Sequence, residues 1–301
     1  MGKLLVTGGY GMVGSAIPCD IKFRSQELDL TDYNKTLNFF QKNNPEGVIH
    51  CAGKIGGVGA NSTKKGEFLL KNTLINTNTI EVSRLVNVKK LVCLLSTCVF
   101  PVSAKYPLTP DQIHKGEPHE SALGYSYSKR LAEIQIRTYR EQYGVNYVSL
   151  VPCNIYGPDD NFTLGECHVI PSLIHKCYLA KQNNHPLEVW GDGNSFREFM
   201  FSKDVGKISL WALDNYNNKT PLIISSSQEI KIKDLVILIA KIMDFDGEII
   251  FDTTKPFGQY RKPSDNSTFK SLYPNFNFTS IEDGLKETIN WFIKNYKNIR
   301  K

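Results

Sequence analysis

The chain has 301 residues, is 41% hydrophobic and 22% charged, and carries a net charge of +6, which suits one large α/β domain or one and a half with a sizeable core. Its lysines are scattered, so no nucleic-acid patch is expected, and the mild positive charge fits a polyanionic small ligand. No apolar run approaches the ~20 residues that span a bilayer, no signal-peptide anatomy precedes the first strand, and the seven cysteines lack Cys-x-x-Cys spacing, as expected of reduced thiols in a cytoplasmic protein that holds no metal.

Residues 3–14 read KLLVTGGYGMVG, a short buried strand running into Gly8-x-x-Gly11-x-x-Gly14. Such glycines permit a tight turn and close backbone approach to a pyrophosphate seated at a helix N-terminus. A dinucleotide is therefore expected here. Pro18 ends the following helix early, and only the segment from Ser15 to Gln26 separates Gly14 from Glu27-Leu28-Asp29-Leu30. A full βαβ unit needs roughly thirty residues, so the first helix is a stub and the second strand short or missing. No acidic residue stands where a ribose ligand selecting NAD is expected. Lys22, Arg24 and Ser25 stand there instead. They are either partners for a 2′-phosphate, favouring NADP, or solvent-facing residues of a truncated loop.

Residues 32–43 read as a helix and 47–52 as a buried strand that opens into the glycine-rich loop Ala52 to Asn61. A strand end of that kind is where a doubly wound sheet binds ligand. A helix is expected over 67–86 and a strand over 89–95, ending at Ser96-Thr97-Cys98-Val99-Phe100-Pro101. Ser96 is placed to donate to a substrate carbonyl. Cys98, two residues on, is either a thiol in the same crevice or a small buried hydrophobe. The next helix, 125–143, opens on Tyr125-Ser126-Tyr127-Ser128-Lys129. Residues four apart share a helix face, so Tyr125 and Lys129 either form a proton-transfer pair, the ammonium lowering the phenol's pKa, or decorate a solvated surface.

Residues 147–152 read as a strand leading to Asn154-Ile155-Tyr156-Gly157-Pro158-Asp159-Asp160-Asn161-Phe162. His168 precedes an apolar helical segment through Ala180 and is read as structural or as an acid–base group. Arg197 is a phosphate fork or half of a surface ion pair. Beyond it, strands (222–225, 248–251) alternate with helices (232–243, 281–296). The expected fold is α/β: a Rossmann-type doubly wound parallel sheet over residues 1–160, with segments near 195–225 returning to it, and a smaller mixed α/β substrate lobe over 161–301.

The glycine turn, Ser96, Tyr125 and Lys129 fall in the chain order of an extended short-chain dehydrogenase/reductase. Finer motifs narrow the resemblance: Ala52-Gly53-Lys54-Ile55-Gly56-Gly57-Val58, Ser96 to Pro101, Asn154 to Phe162, His168-Val169-Ile170-Pro171, Val189-Trp190-Gly191 and Phe251-Asp252-Thr253-Thr254-Lys255-Pro256. Together they resemble the nucleotide-sugar 3,5-epimerase/4-reductases that act on GDP-4-keto-6-deoxy-D-mannose, over nearly the whole chain. The resemblance implies epimerisation at C3 and C5, then reduction of C4 by NADPH to give GDP-L-fucose. It assigns Cys98 as base and His168 as acid for the epimerisation, and Ser96, Tyr125 and Lys129 to the C4 oxygen and its reduction. It implies cofactor contacts from Gly8, Gly11, Met12, Val13, Gly14, Arg24, Asp29, Leu30, Ala52, Lys129, Pro152, Asn154, Ile155 and His168. Substrate contacts are implied for Lys176, Trp190, Arg197 and Lys255; Lys176 stands where some members have arginine. A homodimer joined through the helices at 67–86 and 125–143 is also implied. The alternative is a related enzyme acting on another GDP- or UDP-linked keto-sugar.

Overall fold

A computed structural model of the chain describes residues 2–255 and 260–299. Pro256, the last residue of the Phe251–Pro256 motif, lies outside the described residues.

Six parallel strands form the central sheet: β1 (Leu4–Thr7), β2 (Ile21–Lys22), β3 (Gly47–His50), β4 (Lys90–Leu94), β5 (Asn146–Pro152) and β9 (Leu222–Ile224), in the order β2-β1-β3-β4-β5-β9. Every residue of β1, β3 and β4 is buried. Those strands read as unbroken apolar runs because helices cover both faces of a parallel sheet. The truncation anticipated after Gly14 is present: a single 3₁₀ turn, Gly14–Ala16, stands in for the first helix, and β2 has two residues. The chain leaves β1 toward β2 on one side and returns to β3 on the other. The carboxyl ends of β1 and β3 therefore flank the crevice where such sheets take ligands.

The helices over the sheet are α1 (Tyr33–Asn43), α3 (Lys65–Leu85), α4 (Leu123–Tyr143) and α6 (Ser202–Asn215). Asp32 caps α1 by accepting from the Lys35 N–H, and Gly144 closes α4 at φ +67°, a left-handed position that suits glycine. The glycine-rich loop after β3 contains a short helix, α2 (Val58–Thr63), that the sequence did not announce.

The remaining elements are β6 (Asn154–Tyr156), α5 (Val169–Asn183), β7 (Leu187–Trp190), β8 (Phe196–Phe201), β10 (Glu229–Lys231), α7 (Ile232–Ile242), β11 (Ile249–Asp252), α8 (Ser267–Leu272) and α9 (Ile281–Asn295). A three-stranded sheet β10-β8-β6 and the pair β11-β7 pack with α5, α7 and α9 around their own apolar core, which includes Tyr156, Phe162, Leu235 and Phe292. Two further clusters cover the faces of the large sheet.

Candidate active site

A cleft of about 1230 Å³ opens along the carboxyl ends of the large sheet and against the second sheet. The glycine turn forms one end. Gly8 has φ +67°, and a Cβ there would lie 2.9 Å from the Ala52 backbone; a Cβ on Gly14 would overlap the Gly8 carbonyl. Neither glycine has room for a side chain, so backbone lines the cleft where a pyrophosphate would approach. Met12, Val13, Gly11, Ala52, Asp29, Leu30 and Arg24 line the same end. Arg24 lies 4.1 Å and Lys22 4.7 Å from the centre of the Tyr10 ring, so two cations gather on one aromatic at the truncated segment. Asp29 is engaged by Thr31, through N–H at 2.9 Å and hydroxyl at 2.8 Å. Pro152, Asn154 and Ile155 complete the lining beyond β5.

Ser96, Cys98, Tyr125, Lys129 and His168 all line this cleft. Ser96 caps the 3₁₀ turn Thr97–Val99, its hydroxyl accepting from the Cys98 N–H at 3.3 Å. Tyr125 and Lys129 share a face of α4, as their spacing required. The Lys129 ammonium lies 5.9 Å from the Tyr125 ring centre and donates to the Leu94 carbonyl at the end of β4, at 2.8 Å. One expectation is overturned here. The phenol is not lowered by Lys129. Burial, reinforced by Cys98 and Cys93, raises it well above the ordinary value, because the ammonium is directed to a carbonyl while the cleft desolvates the phenolate. Tyr125 is therefore a neutral O–H at pH 7, ready to donate.

His168 sits immediately before α5. Gly57 N–H donates to the Glu166 carbonyl at 2.6 Å, and Lys64 pairs with the Glu166 carboxylate at 2.5 Å. The glycine-rich loop thus holds the turn that presents the histidine. Desolvation in the cleft lowers the imidazole's pKa from its ordinary value.

Behind the site runs a buried chain that sequence reading did not find. The Ala52 N–H donates to the Thr7 hydroxyl at 3.2 Å, Thr7 meets His50 Nδ1 at 2.7 Å, His50 Nε2 meets Asn76 Oδ1 at 3.0 Å, and Asn76 Nδ2 donates to the Ser128 carbonyl at 3.2 Å. With the proton on Nε2, each donor meets an acceptor, linking the ends of β1 and β3 to the helix turn that carries Lys129. His50 is fully buried and held at about 3, chiefly by desolvation and then by Lys129. The signal was present as Thr7, His50 and Asn76 on buried faces, but only the fold shows that they touch.

The substrate-side residues separate into two groups. Arg197 lines the cleft, is part-buried, and donates to its neighbour's carbonyl at Phe196, with no carboxylate partner among the described residues. Lys176, Trp190 and Lys255 gather at the end of the β7–β11 pair, outside the residues that line the cleft. Lys176 lies 5.0 Å from the Trp190 ring and donates to the Glu188 carbonyl at 3.2 Å.

A strand–glycine turn, a serine at a strand end and a tyrosine–lysine pair on the next helix, arranged on a doubly wound sheet, define a nucleotide-dependent epimerase or reductase of the short-chain type. The NAD dependent epimerase/dehydratase family matches residues 4–225. The chain is 43% identical to a GDP-L-fucose synthase of Dictyostelium discoideum, over 99% of this chain and 97% of that protein. A crystal structure of a GDP-L-fucose synthetase from Naegleria fowleri bound to NADP superposes with a TM-score of 0.93 at 37% identity, covering 99% of this chain and 94% of the other. A GDP-L-colitose synthase of Yersinia pseudotuberculosis is 31% identical over 98% of this chain and 99% of its own length. The chain belongs to the NAD dependent epimerase/dehydratase family and, within it, to the GDP-L-fucose synthases.

Proposed function

We propose that this chain converts GDP-4-keto-6-deoxy-D-mannose to GDP-L-fucose by epimerising C3 and C5 and reducing C4. One observation carries the reading: two acid–base pairs of different chemistry, Cys98 with His168 and Tyr125 with Lys129, line the same cleft as the glycine turn. Both C3 and C5 lie next to the C4 ketone, so their protons are acidic and their loss gives an enolate with its charge on O4. In this reading Cys98 accepts the carbon-bound proton and His168 returns one to the opposite face. Ser96 and Tyr125 donate to O4 as charge develops there, and Tyr125 later gives its proton to the same oxygen. The raised phenol suits that role, since it stays protonated until the oxygen becomes basic.

The glycine cradle fits a dinucleotide, and Arg24 and Lys22 on Tyr10 fit its 2′-phosphate, so the cofactor is NADPH. When bound, NADPH supplies the hydride to C4. Lys129 holds the nicotinamide ribose in this scheme, and Arg197 meets the substrate's diphosphate, with Lys176, Trp190 and Lys255 reaching its outer part. The division at about residue 160, with 195–225 returning, is supported by β9 pairing with β5 and by the separate apolar core of the second lobe. A homodimer through α3 and α4 is supported by Leu69, Leu70, Leu131 and Ile134, which are large, apolar and exposed on those helices. Cytoplasmic residence is supported by seven unpaired cysteines; no helix among the described residues is long and apolar enough to cross a membrane.

The test is NADPH oxidation with freshly prepared GDP-4-keto-6-deoxy-D-mannose in deuterium oxide, with the product read by NMR. GDP-L-fucose deuterated at C3 and C5 is expected. Reduction without deuterium at either carbon would remove the epimerase half of the reading. A second reading, a related GDP- or UDP-linked 4-keto-sugar, is favoured by the similarity to the colitose enzyme; a panel of keto-sugars separates the two.

A further inference from the structure

The glycine-rich segment after β3 carries Gly53, Gly56, Gly57 and Gly59. Gly57 has φ −69°, which any residue adopts, so its bareness answers to space and not to backbone freedom. A Cβ there would lie 2.1 Å from the Cys167 carbonyl oxygen and 2.8 Å from its carbon, and a Cβ on Gly59 would lie 2.8 Å from the Gly165 carbonyl oxygen. In both cases the obstacle is backbone, which cannot swing aside as the end of a flexible side chain can. Gly57 lines the cleft, yet the direction a side chain would take from it runs into the turn before His168. The missing side chain therefore makes room for that turn and not for a ligand.

Both sides of this contact are held. Buried Asn72 of α3 accepts from the Lys54 N–H at 2.8 Å and donates back to the Lys54 carbonyl at 3.0 Å, and Asn61 donates to the Gly57 carbonyl at 3.1 Å. Across from them, the Glu166 and Cys167 N–H groups donate to the Thr163 carbonyl at 3.1 and 3.0 Å, and the Ser172 N–H donates to the His168 carbonyl at 3.0 Å as α5 begins. The Gly57 N–H on the Glu166 carbonyl, at 2.6 Å, and the Lys64–Glu166 ion pair draw the two sides together.

We propose that Gly57 is a positioning residue for the epimerisation: its bare α-carbon, seated on the Cys167 carbonyl, sets where the next residue, His168, holds its imidazole in the cleft. The inference rests on the assignment of His168 as the acid. In each reprotonation the His168 N–H bond breaks as the C–H bond forms and the C4 carbonyl is restored; Gly57 takes no part in that transfer. An alanine at 57 needs about 1 Å of relief to reach ordinary contact, and because Asn72 ties the segment to α3, the turn is the side that yields. A misplacement of about 1 Å in a reacting group costs roughly a hundredfold in rate. Tyr125 and Lys129 stand on α4, outside this contact, so the C4 step is affected less.

The experiment compares two rates in the full-length enzyme, both in deuterium oxide: deuterium incorporation at C3 and C5 of GDP-4-keto-6-deoxy-D-mannose, which needs the acid, and the initial oxidation of GDP-L-fucose by NADP+, which runs the C4 step alone. Gly57→Ala is expected to lower the first by about tenfold to a hundredfold more than the second. Gly66→Ala, whose Cβ meets nothing within 4 Å, is expected to leave both rates as in wild type. Exchange and oxidation that fall equally in Gly57→Ala, or that do not fall, overturn the proposal. Should melting show that Gly57→Ala does not fold, Glu166→Gln takes its place, since it removes only the ion pair of an exposed carboxylate. The ratio of exchange to oxidation should then drop about threefold and recover when Lys64→Glu is combined with Glu166→Lys; an unchanged ratio in Glu166→Gln overturns the proposal. A His168→Gln enzyme that exchanges both protons at the wild-type rate defeats the assignment of the acid instead, so the two failures are distinguishable.

Discussion

Lys129 and Arg130 on α4 are 3% and 5% exposed, and each is tied to a backbone carbonyl at 2.8 Å or less. At the end of the β7–β11 pair, Trp190 is 41% exposed and Lys176 reaches a carbonyl at 3.2 Å. The first region is anchored in parallel strands and a long helix, where the end of β4 and the turn after it supply the carbonyls that hold the side chains of α4. The second is built from short strands and long, solvated side chains. The contrast fits the proposed division of work: groups that move protons need fixed geometry, whereas groups that gather a charged, flexible ligand tolerate slack and keep much of their hydration.

If that division holds, disturbing the first region should cost rate and disturbing the second should cost affinity. The largest effect is expected from Tyr125→Phe, which removes the proton donor to O4: NADPH oxidation should fall by roughly a thousandfold with little change in KM. A loss under tenfold would mean that another group protonates the oxygen. Cys98→Ser and His168→Gln should each slow deuterium incorporation at C3 and C5 by about a hundredfold or more. The pH profile of that exchange carries a sign. Since desolvation lowers His168, the imidazolium fraction available to protonate carbon shrinks as pH rises, so the exchange profile should carry an alkaline fall that His168→Gln changes; an identical pH profile in that variant would mean that His168 does not supply the proton.

The buried chain behind the site offers a stability test. His50 is held at about 3 in the folded protein, against an ordinary value of 6.5. A group depressed on folding stabilises fully above its unfolded value and loses that contribution as pH falls toward the folded one. Between pH 7 and 5 the linked loss is about 2 kcal/mol. Urea titrations at the two pH values should show it in wild type and not in His50→Gln; an equal change in unfolding free energy in both proteins would mean that His50 does not titrate on unfolding. The smallest effect is expected in the second region. Lys176→Met should raise KM for the GDP-sugar about fivefold with kcat preserved, and a kcat loss there would break the division of labour.

Much of this was legible in the chain because local chemistry forced it. The glycine turn after a buried strand, the stub imposed by Pro18 and the Tyr125–Lys129 face of a helix follow from steric freedom, ring closure and helical period, which act over a few residues. The direction of the Tyr125 shift was misread because spacing shows that a lysine is near, not that its ammonium is committed to the Leu94 carbonyl. Helix α2 was hidden among glycines that suggest a loop. Thr7, His50 and Asn76 are far apart in sequence, and nothing local marks them as a hydrogen-bonded chain.

The sequence by itself determined the buried parallel strands and long helices of the large sheet, the glycine turn after β1 and the family to which the chain belongs. The tertiary structure decided which groups share a dielectric and a cleft. It brought Lys262 from the far end of the chain into the cleft that Cys98 also lines, gave Arg197 no carboxylate partner among the described residues, and left Tyr125 protonated. Those outcomes depend on burial and on contacts between distant residues, and both exist only once the sheet, its helices and the second lobe have packed.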